Sequence, residues 1–137
     1  MKLLRGMFRV SLVLWAGSLW STVWVAATLF HFQSDRHLAG IIAGRLFSIE
    51  TFLGMAVTAL ALALPLEERR QFIFGFVAVA LLACNEFILA RWMSLAQAQG
   101  AALGLRFGAW HGISASLYLS ACLCVLVVVY KDQSRHA

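Results

Sequence analysis

Apolar residues fall in four long blocks along the chain, at about 8–32, 39–64, 72–95 and 105–130, with short polar stretches between them. A spanning helix needs about 20 mostly apolar residues, because each rises about 1.5 Å across about 30 Å of hydrocarbon. Backbone polar groups in a bilayer must be satisfied within the chain, so four such blocks predict four helices. The connections "QSDRHL", "PLEERRQ" and "AQAQGAALG" are short. Short links favour antiparallel neighbours. The pattern therefore predicts an all-α, integral membrane four-helix bundle of up-down-up-down topology, a single domain over residues 1–137. Pro65 stands where the second helix should stop. No internal repeat is present, and little chain remains outside the blocks, so any activity must lie in the bundle or on its rims.

Composition agrees. Hydrophobic residues make up 62% of the chain and charged ones 12%, with a mean hydropathy of +0.84. That is a membrane composition rather than a soluble one, and the bilayer is the expected partner. The formal charge of +5 does not point to nucleic acid, since the basic residues flank the blocks instead of forming a patch with interleaved aromatics. Lys2, Arg5, Arg9, Arg69, Arg70, Lys131 and Arg135 fall on one side; Arg36, Arg45, Arg91 and Arg106 fall on or near the other. The positive-inside rule then places both termini and the 65–71 connection in the cytoplasm, as expected of a bacterial inner-membrane protein. The opening "MKLLRGMFRVSLVLWAGSLW" has the basic end and apolar run of a signal peptide. Its run is long enough to span, so it reads as an uncleaved first helix. Cys84, Cys122 and Cys124 lie inside blocks and read as small hydrophobes, with no disulfide framework.

The polar residues inside the blocks are the candidate chemistry. A charged side chain at a helix centre costs about 2.5–3.5 kcal/mol even on insertion scales, so intramembrane ionisable groups default to a functional hypothesis. Glu50 lies well inside the second block, sharing a helical face with Ala43, Leu46, Leu53 and Gly54. Asn85 and Glu86 lie past the middle of the third, His31 at the end of the first and His111 near the start of the fourth. On the expected topology all five fall in the outer half, while the inner half has almost nothing ionisable. Glu50, Glu86, Asn85 and His111 are the expected ligand or ion pocket, with Arg91 and Arg45 as charge partners. Each also has a plainer reading. Glu50 could pair structurally with Arg91, Arg106 or a histidine. Glu86 and Asn85 could bond serines across helices. His31 could be interfacial, Arg45 and Arg91 could snorkel, and His37 and His136 could be solvated. Gly40, Gly44, Gly112 and Ser116 have the small-xxx-small spacing of helix packing, continued by Ser120. Trp92 and Trp110 suit an interfacial belt, whereas Trp15, Trp20 and Trp24 should meet lipid or neighbouring helices.

The same residues carry a resemblance. "SLWSTVWVAATLFHFQSDRHLAGIIAGRLFSIETFLGM" resembles the first half of the small four-helix membrane proteins of the domain-of-unknown-function family numbered 4149, which takes in the transmembrane-protein-205-like proteins. The shared features are a first-helix Trp, "LF" at its outer end, and "AG…AG.LF" opening the second helix. "RFGAWHGISASLYL" resembles the later helix of that family, with His111 and Ser114 on matching positions. Tyr118 stands where an Asn is expected, and Thr28 where a Pro often precedes "LF". The resemblance implies a four-helix membrane protein and little chemistry. A looser similarity, to copper-resistance membrane proteins and to four-helix haem-linked oxidases, is fold-level analogy.

Three functions follow as expectations. In the first, the outer pocket binds or passes a cation, either a metal or a proton, or a small polar ligand. Mixed carboxylate and imidazole ligation by His111, Glu50, Glu86 and His31 would suit a divalent transition metal, although no pair has a recognised motif spacing. In the second, His31 and His111 ligate haem in a redox protein. In the third, the chain is an accessory subunit or assembly factor of a larger membrane complex, or a homo-oligomer. No nucleophile triad, phosphate loop or zinc-protease helix is present, so an enzyme is not expected.

Overall fold

The computed structural model describes residues 2–134, except for the side chains of Arg36 and His37. Arg135 and His136, used above, lie outside the described residues, as do the side-chain positions of Arg36 and His37. Helix α1 runs Lys2–Phe32, α2 Arg36–Leu62, α3 Leu66–Gln71, α4 Ile73–Cys84, α5 Ala90–Gln99 and α6 Phe107–Gln133. A π-helical turn, Asn85–Leu89, joins α4 to α5. Four helical stretches are long and apolar enough to cross a membrane, at Lys2–Phe32, Leu38–Leu62, Ile73–Gln99 and Phe107–Gln133. They match the four apolar blocks.

Two local features depart from the blocks. The 65–71 connection contains the short helix α3. It has Glu67 and Glu68 in its first turn and Arg69 and Arg70 in its last, the charge order a helix dipole favours. The third span is not uniformly α-helical. In its π turn the Ala90 N–H reaches back five residues to the Asn85 carbonyl. Such turns often occur at functional sites.

α1 packs against α2 and α6, and α4 packs against the same two helices. The core is therefore built from one stripe of each. Phe8, Leu12, Trp15, Leu19 and Thr22 line it from α1; Tyr118, Ala121, Cys122, Val125 and Val128 line it from α6. Lipid is as apolar as leucine, so close packing rather than water exclusion must hold such helices together. Ala61, Ala78 and Ala121, all fully buried, let three of the helices approach closely. Larger side chains such as Leu14, Trp24, Phe52, Val77, Phe87 and Leu123 point outward.

The ends are tied by polar contacts. At one end Arg5 of α1 pairs with Glu68 of α3 at 2.6 Å, and Arg9 pairs with Asp132 of α6 at 3.4 Å. The first turns of α1, the connection after α2 and the last turns of α6 therefore share that end. Near the start of α6, Trp110 Nε1 donates to the Ala102 carbonyl at 3.0 Å, and its ring stacks on Trp92. Phe30 of α1 meets His111 edge-on there.

Candidate functional site

Glu50 is the centre of the buried polar structure. It is only 4% exposed, although it stands in an apolar span. Its carboxyl faces α1, where side chains three and four apart lie on one face. Trp15, Ser18 and Thr22 have that spacing. Ser18 Oγ lies 3.0 Å from Glu50 Oε2, and Thr22 Oγ1 donates to Oε1 at 3.1 Å. Trp15 Nε1 donates to the Glu50 backbone carbonyl at 3.2 Å. The indole can lie this close to α2 because residue 54, one turn beyond Glu50, is glycine. A Cβ there would fall 2.5 Å from Trp15 Cζ2. From α6, the Tyr118 hydroxyl lies against Thr22 and donates to the Leu19 carbonyl at 3.3 Å. Among the described residues the Glu50 carboxyl has no ion-pair partner, so its polar shell is made of hydroxyls.

The other expected pocket residues are placed differently. Glu86 is half-buried and bonds Ser48 Oγ of α2 at 2.7 Å. That is the cross-helix serine bond of the plainer reading. Asn85 is buried in the π turn. His111 is exposed between the rings of Phe30 and Phe107. His31 is exposed against Phe32. Arg45 and Arg91 are exposed, and among the described residues neither pairs with Glu50 or Glu86. No three His, Cys, Asp or Glu side chains among the described residues come together as metal ligands. Glu50 and Glu86 each meet a hydroxyl of a facing helix, Asn85 lies in the π turn, and both histidines lie against phenylalanine rings.

The small residues also differ from expectation. Gly40, Gly44, Gly112 and Ser116 are exposed, and a Cβ on any of the three glycines would meet open space. The close approach between helices occurs instead at Gly54, under Trp15, while the space beside Gly75 is filled by its own chain neighbour Phe72. Ser116 and Ser120 turn back to the carbonyls four residues before them.

The family described as a domain of unknown function, DUF4149, has a sequence model that matches residues 10–102. The chain belongs to the DUF4149 family. The matched stretch takes in Trp15, Ser18, Thr22, Glu50 and Gly54, while Tyr118 of this DUF4149 protein lies beyond it. No curated protein and no solved structure matches the chain.

Sequence reasoning missed Ser18 and Thr22, the direct partners of Glu50. Their spacing with Trp15 gave no unique signal, because Ser21, Trp24 and Thr28 repeat it on an exposed face of the same helix. It also missed a cavity of about 230 Å³ at the end tied by the ion pairs, where Arg5, Arg9, Glu68, Lys131 and Asp132 meet the apolar core.

Proposed function

We propose that this small membrane protein binds a proton at Glu50, inside a shell that includes the hydroxyls of Ser18, Thr22 and Tyr118. This is the proton form of the cation-binding reading. The observation that carries it is a buried carboxyl surrounded by hydroxyls rather than by cations or metal ligands. An unpaired carboxylate in hydrocarbon is costly, and a bound proton removes that cost. Hydrogen counting supports the same state. The Ser18 hydroxyl has one hydrogen but two acceptors, the Trp15 carbonyl and Glu50 Oε2, both at 3.0 Å. A proton on the carboxyl supplies the second bond. The proposal includes an up-down-up-down topology with both termini cytoplasmic in a bacterial inner membrane, as the charge distribution favours.

The test is infrared difference spectroscopy of the full chain in nanodiscs while the bathing pH is changed. The expected result is a carboxylic-acid carbonyl band that Glu50→Gln removes from an otherwise unchanged amide spectrum. A wild-type spectrum identical to that of the variant at every pH would overturn the proposal.

A second reading, an accessory subunit of a membrane complex, is favoured by the outward-facing Gly40 and Gly44 on α2 and Gly112 and Ser116 on α6. Small residues on a lipid-facing surface allow a partner helix to approach. Its test is affinity purification of the tagged chain in mild detergent. A stoichiometric membrane partner that Gly112→Ile releases would support it, and recovery of the chain alone would count against it.

A further inference from the structure

The cavity at the ion-paired end lies apart from Glu50 and calls for its own occupant. Its walls are two-faced. Phe8, Leu12, Leu64, Phe72 and Val128 form an apolar floor, and all five are buried. Arg5, Arg9, Lys131, Glu68, Asp132 and Gln71 surround its mouth. Three cations against two carboxylates leave the rim with one net positive charge. The carboxylates are engaged by Arg5 and Arg9, while Lys131 rests over the Phe74 ring at 4.6 Å. The volume of about 230 Å³ is below the roughly 300–1,000 Å³ of sites for drug-sized ligands. The part of the occupant held inside is therefore no larger than a headgroup with a few carbons attached.

We infer that this cavity binds a singly charged phosphate ester carrying an apolar extension. The phosphate would meet Lys131 and the outer faces of Arg5 and Arg9, and the first carbons of the extension would cover Phe8, Leu12 and Val128. The arginine fork and the lysine ammonium both suit phosphate oxygens, and a single negative charge neutralises the rim. On the proposed orientation this end faces the cytoplasmic leaflet, where anionic phospholipids concentrate. The same chemistry is offered by a bilayer phosphatidylglycerol or by a soluble short-chain dialkyl phosphate.

Native mass spectrometry of the full chain, released from detergent containing equal phosphatidylglycerol and phosphatidylcholine, tests the inference. The expected spectrum retains one phosphatidylglycerol per chain in preference to phosphatidylcholine. Lys131→Gln, an exposed position outside the core, should lower that retention about tenfold, the scale of one charge-assisted hydrogen bond. Arg9→Gln combined with Asp132→Asn removes one ion pair as a unit and should lower it as well. Circular dichroism confirms that each variant remains folded. Retention of dibutyl phosphate, added to a parallel sample, in place of lipid would support the site and assign its source to the aqueous pool. Equal retention of the two lipids without dibutyl phosphate binding, or folded variants that retain as much as wild type, would overturn it.

Discussion

Glu50 and its shell give the sharpest single-residue expectations. Glu50→Gln preserves size and hydrogen bonding to Ser18 and Thr22, so its thermal midpoint should stay close to wild type even as the acid band disappears. Glu50→Ala removes the acceptor of the buried Thr22 hydroxyl and opens a void. It should cost about 1–3 kcal/mol in reversible unfolding from detergent micelles. A variant as stable as wild type would show that the hydroxyl shell is not a structural unit. Gly54→Ala places a methyl group against Trp15 and should destabilise by about 1–3 kcal/mol, the usual scale of overpacking. Trp15→Phe in the same chain should recover part of that loss, since it removes the ring atoms the methyl group strikes. Glu50 was legible in the sequence because a lone acid in an apolar run is conspicuous. Its partners were not, because serine and threonine are common in membrane helices and usually bond their own backbone. Only the facing of α1 on α2 gives Ser18 and Thr22 their role.

At the scale of elements, the four spans were legible because each needs only length and apolarity. The π turn and α3 were not, since both depend on local hydrogen bonding that a run of apolar or charged residues does not specify. The α5–α6 connection is similar. Gly100 ends α5 at φ 82°, and Ala102 and Leu105 then exchange backbone bonds across a two-residue turn. Both central residues have positive φ, 50° at Leu103 and 76° at Gly104. This is the I′ geometry that prefers Asn or Gly at the first position. Leu103 is 70% exposed, so it loses little contact when replaced. Leu103→Asn should therefore raise stability by up to about 1 kcal/mol, read as a shift in detergent denaturation. A lower stability would mean that the leucine is held by contacts at the membrane surface.

For the whole molecule, the two ion pairs fix which ends lie together but contribute little energy, because exposed pairs are worth about 0–1 kcal/mol each. They are best regarded as register marks on helices held by alanine-sized contacts. The topology proposed from charge can be checked directly. With Cys84, Cys122 and Cys124 replaced by alanine, single cysteines at Ser134 and Arg70 should react with an impermeant maleimide only in inverted vesicles. A cysteine at Ser34 should react only in right-side-out cells. Labelling of Ser134 and Ser34 from the same side would refute the up-down arrangement.

The bonds from α1 to Glu50 also bear on how the chain enters the bilayer. As α2 emerges from the ribosome it carries an acid whose neighbouring hydroxyls, Ser48 and Thr51, turn back to their own helix backbone. The ligands it needs are on the preceding helix, already made. The first two helices are thus suited to leave the translocon together as a hairpin, with α1 shielding the acid of its successor. Synthesised without α1, the second helix would enter lipid with its carboxyl bare.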